Sequence, residues 1–307
     1  MSGPLVVSVP DASLRDALLA SGEDVTVLEW DMTTPAPLAH LDIVVPPYMS
    51  LVRALSRLEG VSVRLIQSQS IGYDGVLGVL GAGRVFANAA SVHEASTAEL
   101  TLGLILASKR GIPDFVRAAE HGRWAPAWHR SLADSTVVLV GYGGVSRAIE
   151  ARLAPFEVEI LRVARHSRTD ERGLIYGVDS LADVLARADV VVVAVPLAAE
   201  TTHLVNGPFL AAMKDDALLV NVARGRVADT EAILAEARRG RLRFALDVTD
   251  PEPLAPGHEL FSLSNVLITP HVGGATSAMG PRMARLLVEQ VRRMASGEAP
   301  LNVVLRS

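Results

Sequence analysis

Between residues 135 and 270 a series of stretches is apolar almost without interruption: "STVVLVG" (135–141), "EVEILRVA" (157–164), "ADVVVVAVP" (188–196), "ALLVNV" (217–222), "RFALDV" (243–248) and "NVLITP" (265–270). A strand with one face in water alternates apolar and polar residues, and these do not. Both faces must therefore be covered, which is the condition of a parallel sheet held between two layers of helix. The intervening segments have helical length and pattern, as in "DTEAILAEARRG" (229–240), where Gly240 marks the end. A second series precedes it, with "LVVSV" (5–9), "DVTVLEW" (24–30), "DIVVP" (42–46), "VSVRLIQ" (61–67) and "RVFANA" (84–89). A chain of 307 residues has room for two such domains, each with its own core. Half of it is hydrophobic but only 4% is aromatic, which suits layers packed from Ala, Val and Leu.

"HEASTAELTLGLILASKR" (93–110) carries the longest helical pattern before residue 135, with Ser96 or Thr97 as the expected cap and Glu99 in the first turn. "GIPDF" and "HGRWAPAWHRSLADS" read as ordered loop. "SAMGPRMARLLVEQVRRMASG" (277–297) reads as a closing helix that returns to the first domain. The formal net charge of −5, without a basic tail, argues against nucleic-acid and anionic-membrane partners. The absence of cysteine removes disulfides, a thiol nucleophile and thiolate metal sites. No apolar run approaches the roughly 20 residues of a membrane span, and "MSGPLVVSVPDASL" lacks the pattern of a signal peptide, so the expected location is cytoplasmic.

"VVLVGYGGVSRAIEARL" (137–153) is a strand, a glycine turn and a helix in succession. Gly141 permits the tight turn, and Gly143 lets a pyrophosphate approach the backbone at the helix N-terminus, beside Gly144 and Val145. Ser146 takes the place of the third glycine of G-x-G-x-x-G, small enough for close helix–strand packing. After the next strand, where a carboxylate would hold an adenine ribose, stand Arg165, His166, Ser167 and Arg168, the nearest acid being Asp170. Two guanidiniums and a hydroxyl suit a 2′-phosphate, so NADP(H) is expected over NAD(H), which stays possible.

Three polar residues close successive apolar strands: Arg224 after "LLVNVA", Glu252 in "LDVTDPEPL" and His271 after "VLITP". Ligands of open α/β sheets bind outside the carboxyl ends of the strands, where these three would converge on the cofactor. A histidine and one carboxylate make a poor metal-ligand set, and no metal is expected.

The motifs "GYGGVS", "VPLAAETTHLVN", "MKDDALLVNVARG", "ALDVTDPEPL" and "ITPHVGGAT", with the looser "STAEL" and "IQSQSIGYDGV", resemble the D-isomer-specific 2-hydroxyacid dehydrogenase family over essentially the whole chain. The resemblance implies two doubly wound parallel-sheet α/β domains, a Rossmann-type cofactor domain and a flavodoxin-like substrate domain, with the active cleft between them. The expected boundaries are 1–98 with 277–307 for substrate and 99–276 for dinucleotide. It implies His271 as the general acid that protonates the substrate oxygen, Glu252 as the carboxylate on its far ring nitrogen, and Arg224 as the group that orients and polarises the 2-oxo acid. Asp247 matches the residue contacting the nicotinamide carboxamide, with Gly273 and Gly274 leaving space for the ring. Thr97, Val195, Pro196, Thr202, Val222 and Ala223 match positions lining the cofactor groove. "QSIGYD" corresponds to the loop whose backbone receives the substrate carboxylate, through Ile71 and Gly72, with Ser70 adjoining and Tyr48 edging the pocket. Relatives are generally dimers, and some bring a partner tryptophan to the substrate, a part open here to Trp124 or Trp128.

The activity implied is hydride transfer between a nicotinamide cofactor and a small 2-oxo acid or D-2-hydroxy acid, of glyoxylate/hydroxypyruvate reductase type. A phosphoglycerate- or formate-type dehydrogenase is an alternative, though formate enzymes usually carry glutamine at the Glu252 position. A dinucleotide-sensing regulatory protein on the same fold is another, since such proteins keep the Arg/Glu/His set.

Overall fold

A computed structural model, describing residues 3–307, divides the chain into two compact units, Met1–His93 with Thr276–Ser307, and Glu94–Ala275. The chain thus leaves the first unit at 93–94, before the boundary expected at 98–99. The long helix lies wholly in the second unit because its apolar residues pack on a neighbouring helix and strands there.

The first unit opens with β1 (Leu5–Val9), α1 (Ala12–Ala20), β2 (Val25–Glu29), β3 (His40–Val44), α2 (Leu51–Leu55), β4 (Ser62–Gln67) and β5 (Val85–Ala87). Asp11 caps α1 by accepting from the Leu14 N–H at 3.0 Å. The second unit contains α3 (Glu94–Lys109), α4 (Ile112–Glu120), β6 (Thr136–Val140), α5 (Gly144–Leu153), β7 (Glu159–Val163), β8 (Arg168–Asp170), β9 (Gly173–Tyr176), α6 (Leu181–Leu185), β10 (Val190–Val193), α7 (Gly207–Ala212), β11 (Leu218–Asn221), α8 (Thr230–Arg239), β12 (Arg243–Leu246) and β13 (Val266–Ile268). The chain then returns through α9 (Met279–Ala295) and β14 (Val303–Arg306).

The first sheet runs β14-β5-β4-β3-β1-β2, parallel throughout except that β14 pairs antiparallel to β5. "LNVVLRS" is therefore part of the sheet, and α9 packs on α1. The second runs β13-β12-β11-β10-β6-β7-β9-β8, antiparallel only in the β8–β9 hairpin. Strand order reverses between β6 and β10, and ligands of such sheets bind at that switch point.

The continuous apolar runs have the expected consequence. Val191 and Val193 of β10 enter one core, and Val190 and Val192 enter the core on the opposite face. Val138 and Val140 of β6 divide from Val137 and Leu139 in the same way. Each fully buried valine contributes on the order of 1.5–3 kcal/mol relative to exposure.

Two local expectations are corrected, and the structure adds one element. α3 begins at Glu94, so Ser96 and Thr97 are buried inside the helix rather than capping it, and the first-turn acid is Glu94, not Glu99. "GIPDF" starts α4 instead of belonging to a loop, because Gly111 (φ 63°) turns the chain and Pro113 occupies the first turn, where a missing N–H costs nothing. The segment after "RHS" forms the short β8–β9 hairpin, whose polar first strand carries no apolar signature.

Candidate active site

The glycine turn sits at the switch point of the second sheet. Gly141 (φ 90°) ends β6 so close to the end of β10 that a Cβ there would lie 2.7 Å from both the Ala194 carbonyl oxygen and Val195 Cγ1. Gly141 is thus required by backbone packing, whereas a Cβ on Gly143 would meet nothing within 4 Å. Gly143 is the extended N-cap of α5 and supplies no side-chain cap. The first N–H groups of α5 have no partner within the helix, and with the room beside Gly143 they form a cradle that fits a pyrophosphate. Gly144 lies against the Glu94 carboxylate, 3.1 Å from where its Cβ would be, so a larger residue would press on that side chain. Val145 follows in the first turn of the helix, and buried Ser146 closes the turn by donating its hydroxyl to the Gly141 carbonyl.

Behind this turn lies a polar network that sequence reasoning missed. Tyr142, in the turn itself, donates its hydroxyl to Glu150 of α5, which also accepts from Arg162 of β7 and lies 3.5 Å from Arg172 of the β8–β9 hairpin. Arg147 and Arg162 stand over the Tyr142 ring at 5.6 and 5.8 Å. Burial opposes the charge on Glu150, but the hydrogen bonds from Arg162 and Tyr142 and the two guanidinium charges outweigh it and hold the carboxyl below the usual range. Burial, then the Glu150 carboxylate, pushes the Tyr142 hydroxyl up. Only the appearance of glutamate on a helix face otherwise directed at the sheet hints at this in "VSRAIEARL".

Arg165, His166, Ser167 and Arg168 are all exposed just beyond β7, and Arg168 opens β8. Arg165 pairs loosely with Glu200 at 3.6 Å. Asp170 is engaged by the Arg172 N–H at 2.9 Å and lies 4.0 Å from Arg147. No carboxylate is offered by the strand end itself.

Arg224, Glu252 and His271 follow β11, β12 and β13, which are adjacent and parallel. The Arg224 turn is braced from within: its carbonyl accepts from Asn221 Nδ2 at 3.2 Å, and its guanidinium donates to the Ala223 carbonyl at 2.7 Å. A Cβ on Gly225 would lie 1.7 Å from the Thr249 carbonyl oxygen, so only glycine lets the loops after β11 and β12 meet. His271 Nδ1 lies 2.5 Å from Glu252 Oε1, both side chains being about a third exposed. A carboxylate can only accept, so Nδ1 carries the proton and Nε2 is left on the opposite side of the ring.

Asp247 fixes the loop that carries this histidine. It is buried at 3% exposure and accepts from Thr269 Oγ1 at 2.6 Å and from the Val272 and Gly273 N–H groups at 3.0 Å each. Its carbonyl accepts the His271 N–H at 2.8 Å. His271 itself has φ 52°, a left-handed conformation that a non-glycine residue keeps only when its surroundings impose it. The missing side chain at Gly273 has a local reason, since a Cβ would lie 3.0 Å from Asp247 Oδ2 and 3.5 Å from Thr97. Gly274 is half-buried beside it. Of the other groove candidates, Val195 abuts Gly141, Thr202 donates to the Ala198 carbonyl, Pro196 accepts from Thr201, and Val222 and Ala223 lead into Arg224.

In the first unit Tyr48 stacks on His93 with ring centroids 5.7 Å apart. The Ser70 N–H is taken by Ser68 Oγ at 3.0 Å. Ile71 and Gly72 N–H find no acceptor among the described residues. Among those residues, too, no cluster of three or more His, Cys, Asp or Glu could hold a metal ion, and no helix is long and apolar enough to cross a membrane.

Residues 102–273 match the family model of the D-isomer specific 2-hydroxyacid dehydrogenase NAD binding domain. The chain belongs to this family. It is 34% identical to a glyoxylate reductase of Pyrococcus horikoshii over 257 residues, 80% of this chain and 77% of that one. It is 32% identical to the glyoxylate reductase/hydroxypyruvate reductase of Mus musculus over 301 residues, 92% of each. A D-isomer specific 2-hydroxyacid dehydrogenase from Xanthobacter autotrophicus Py2, solved with NADPH and MES, superposes with a TM-score of 0.82 at 28% identity, covering 99% of this chain and 98% of that one. Both parallel-sheet units and the glycine turn are those of a nicotinamide-dependent oxidoreductase of this family.

Proposed function

We propose that this family member is an NADP(H)-preferring reductase of small 2-oxo acids, of glyoxylate/hydroxypyruvate type, giving the D-2-hydroxy acid. The observation that carries the proposal is the His271–Glu252 contact of 2.5 Å, placed one strand from Arg224. The bound nicotinamide would supply the hydride that reaches the carbonyl carbon. His271 Nε2 would deliver the proton to the carbonyl oxygen and recover it from solvent. Glu252 holds the ring with Nδ1 occupied, so that Nε2 is the acid. Arg224 would bind the substrate carboxylate or carbonyl oxygen, and the Ile71 and Gly72 N–H groups the carboxylate, with Ser70 and Tyr48 beside them.

Gly141, Gly143, Gly144, Val145 and Ser146 would hold the pyrophosphate. Thr97, Val195, Pro196, Thr202, Val222 and Ala223 would line the groove, while Asp247 and Gly273 would border the nicotinamide. Preference for the 2′-phosphate is supported by the exposed Arg165–Arg168 turn and by the engagement of Asp170 elsewhere. The relative solved with NADPH agrees with it.

A second copy of the chain is the natural cover for one surface of the second unit. Ile112, Phe115 and Val116 are exposed on α4, and Trp124 and Trp128, at 96% and 101% exposure, project from the strand-free segment that follows. Apolar patches of this kind mark interfaces, and a homodimer with the tryptophans near the partner's site is the arrangement we infer. We infer a cytoplasmic location for the protein.

The test is steady-state turnover of glyoxylate and hydroxypyruvate followed by cofactor absorbance, with NADPH and with NADH. Turnover favouring NADPH is expected. Turnover with NADH alone removes the role of the basic turn, and tight dinucleotide binding without turnover removes the reductase.

A further inference from the structure

The two peptide groups whose N–H bonds serve the substrate carboxylate in the proposal above are each held by their carbonyl end. A peptide is planar and trans, so fixing the direction of a carbonyl fixes the following N–H in the opposite direction. The Ser70 carbonyl, which shares its plane with the Ile71 N–H, accepts from the Ala89 N–H at 2.9 Å. The Ile71 carbonyl, which shares its plane with the Gly72 N–H, accepts from Asn88 Nδ2 at 2.9 Å. Residues 88 and 89 therefore aim both donors away from themselves, and the hydrogen bonds to the carbonyls polarise both N–H groups as well.

Asn88 is itself held from behind. Its Oδ1 accepts from the Ala90 N–H at 3.2 Å, and its backbone N–H donates to the Asn302 carbonyl at 3.0 Å. Its carbonyl accepts from Gln67 Nε2 at 3.0 Å, and the same nitrogen donates to the Ser68 carbonyl at 2.8 Å. Gln67 thereby ties together the two chain segments that leave β4 and β5. Gln67 Oε1 accepts in turn from Gln290 Nε2 of α9 at 2.6 Å. Gln290 completes the chain by donating to the Leu301 carbonyl at 3.0 Å and accepting the Leu301 N–H at 2.9 Å.

Gln67 and Gln290 are fully buried and Asn88 nearly so, and both N–H bonds of each glutamine amide are used. Buried amides are a costly way to fill a core if packing alone is served, because their polar atoms must all be matched. We propose that Gln290, Gln67 and Asn88 form a positioning relay that sets the direction of the Ile71 and Gly72 N–H groups for the substrate carboxylate. No member of the relay titrates. The proposal rests on the assignment of this loop to the substrate carboxylate.

The experiment compares wild type, Asn88→Ala and Gln290→Met in steady-state assays with glyoxylate and NADPH, together with thermal melts. For Asn88→Ala the glyoxylate KM should rise about tenfold, equivalent to about 1.4 kcal/mol, with kcat and the NADPH KM nearly unchanged. Gln290→Met acts two links away and should raise the glyoxylate KM by a smaller factor in the same sense. Should Asn88→Ala not fold, Asn88→Ser serves, since its hydroxyl is too short to reach the Ile71 carbonyl. A lowered melting temperature with an unchanged glyoxylate KM means a purely structural role and overturns the proposal. A parallel fall in kcat and rise in the NADPH KM, the signature of general loosening, overturns it as well. Absence of turnover by the wild type removes the carboxylate assignment and the relay with it, whereas active wild type with equally active variants removes the relay alone.

Discussion

Asp247→Ala separates two roles for one carboxylate, as a partner of the nicotinamide and as the anchor of the histidine loop. The substitution removes the acceptor of three hydrogen bonds, from Thr269 Oγ1, Val272 N and Gly273 N. The Thr269 hydroxyl can turn to another partner and half-buried Val272 can find water, but Gly273 is buried. A buried donor left unmatched costs about 1–3 kcal/mol, and bonds to a charged acceptor are the stronger ones. With the relief of a buried charge set against this, the loss comes to about 2–4 kcal/mol. For a unit of this size that lowers the melting temperature by roughly 5–15 °C. The anchor also maintains φ 52° at His271, which relaxes once the loop is free. Displacement of a catalytic group by about 1 Å can cost on the order of a hundredfold in rate, so kcat should fall by that order. Differential scanning calorimetry and steady-state kinetics on purified variant and wild type measure both quantities. A variant that melts with wild type and keeps its kcat, while its cofactor KM rises, would show that Asp247 serves the nicotinamide alone and refute the anchoring.

Other consequences follow from the same structure. Arg168→Ala should raise the NADPH KM by about tenfold or more, one charge-assisted phosphate contact being worth about 1.5–3 kcal/mol, while leaving NADH kinetics nearly unchanged. An equal effect on both cofactors contradicts the assignment. Glu150 has a lowered folded-state pKa, so its contribution to stability is present above the ordinary glutamate value of about 4.3 and is lost as pH falls through the lower folded value. The stability difference between wild type and Glu150→Gln in urea titrations should accordingly be large at pH 7 and shrink in acid; a difference that grows on acidification reverses the sign and rejects the network. Phe115→Asp should turn a dimer into a monomer in sedimentation analysis, and a wild-type monomer rejects the dimer itself.

The strand-end placement of Arg224, Glu252 and His271 is legible because each follows a run too apolar to be anything but a buried strand. The glycine turn was legible for the same reason, although the structure gives Gly141 and Gly273 reasons of backbone and carboxylate packing beyond ligand clearance. What stayed hidden depends on partners distant in sequence or on local signals with two meanings. Gln67 and Gln290 meet across 223 positions, and neither has a periodicity that would mark it. Glu150 falls on a helix face directed at the sheet, but its partners Arg162 and Tyr142 cannot be read from "VSRAIEARL". Ser96 and Thr97 have the composition of a cap but lie within the helix, and Pro113 has the composition of a loop but starts a helix. The β8–β9 hairpin extends the sheet by backbone pairing, with exposed Arg168 and Thr169 supplying no apolar pattern.

The most direct test of the central claim is the kcat of His271→Ala beside wild type, with saturating hydroxypyruvate and NADPH and with NADPH affinity measured separately by fluorescence titration. General acid catalysis of this kind contributes about 10²–10⁴-fold, so kcat should fall by that factor while NADPH binding is retained. A variant that binds NADPH and turns over at the wild-type rate would contradict the assignment of His271 as the proton donor and, with it, the active site described around Glu252 and Arg224.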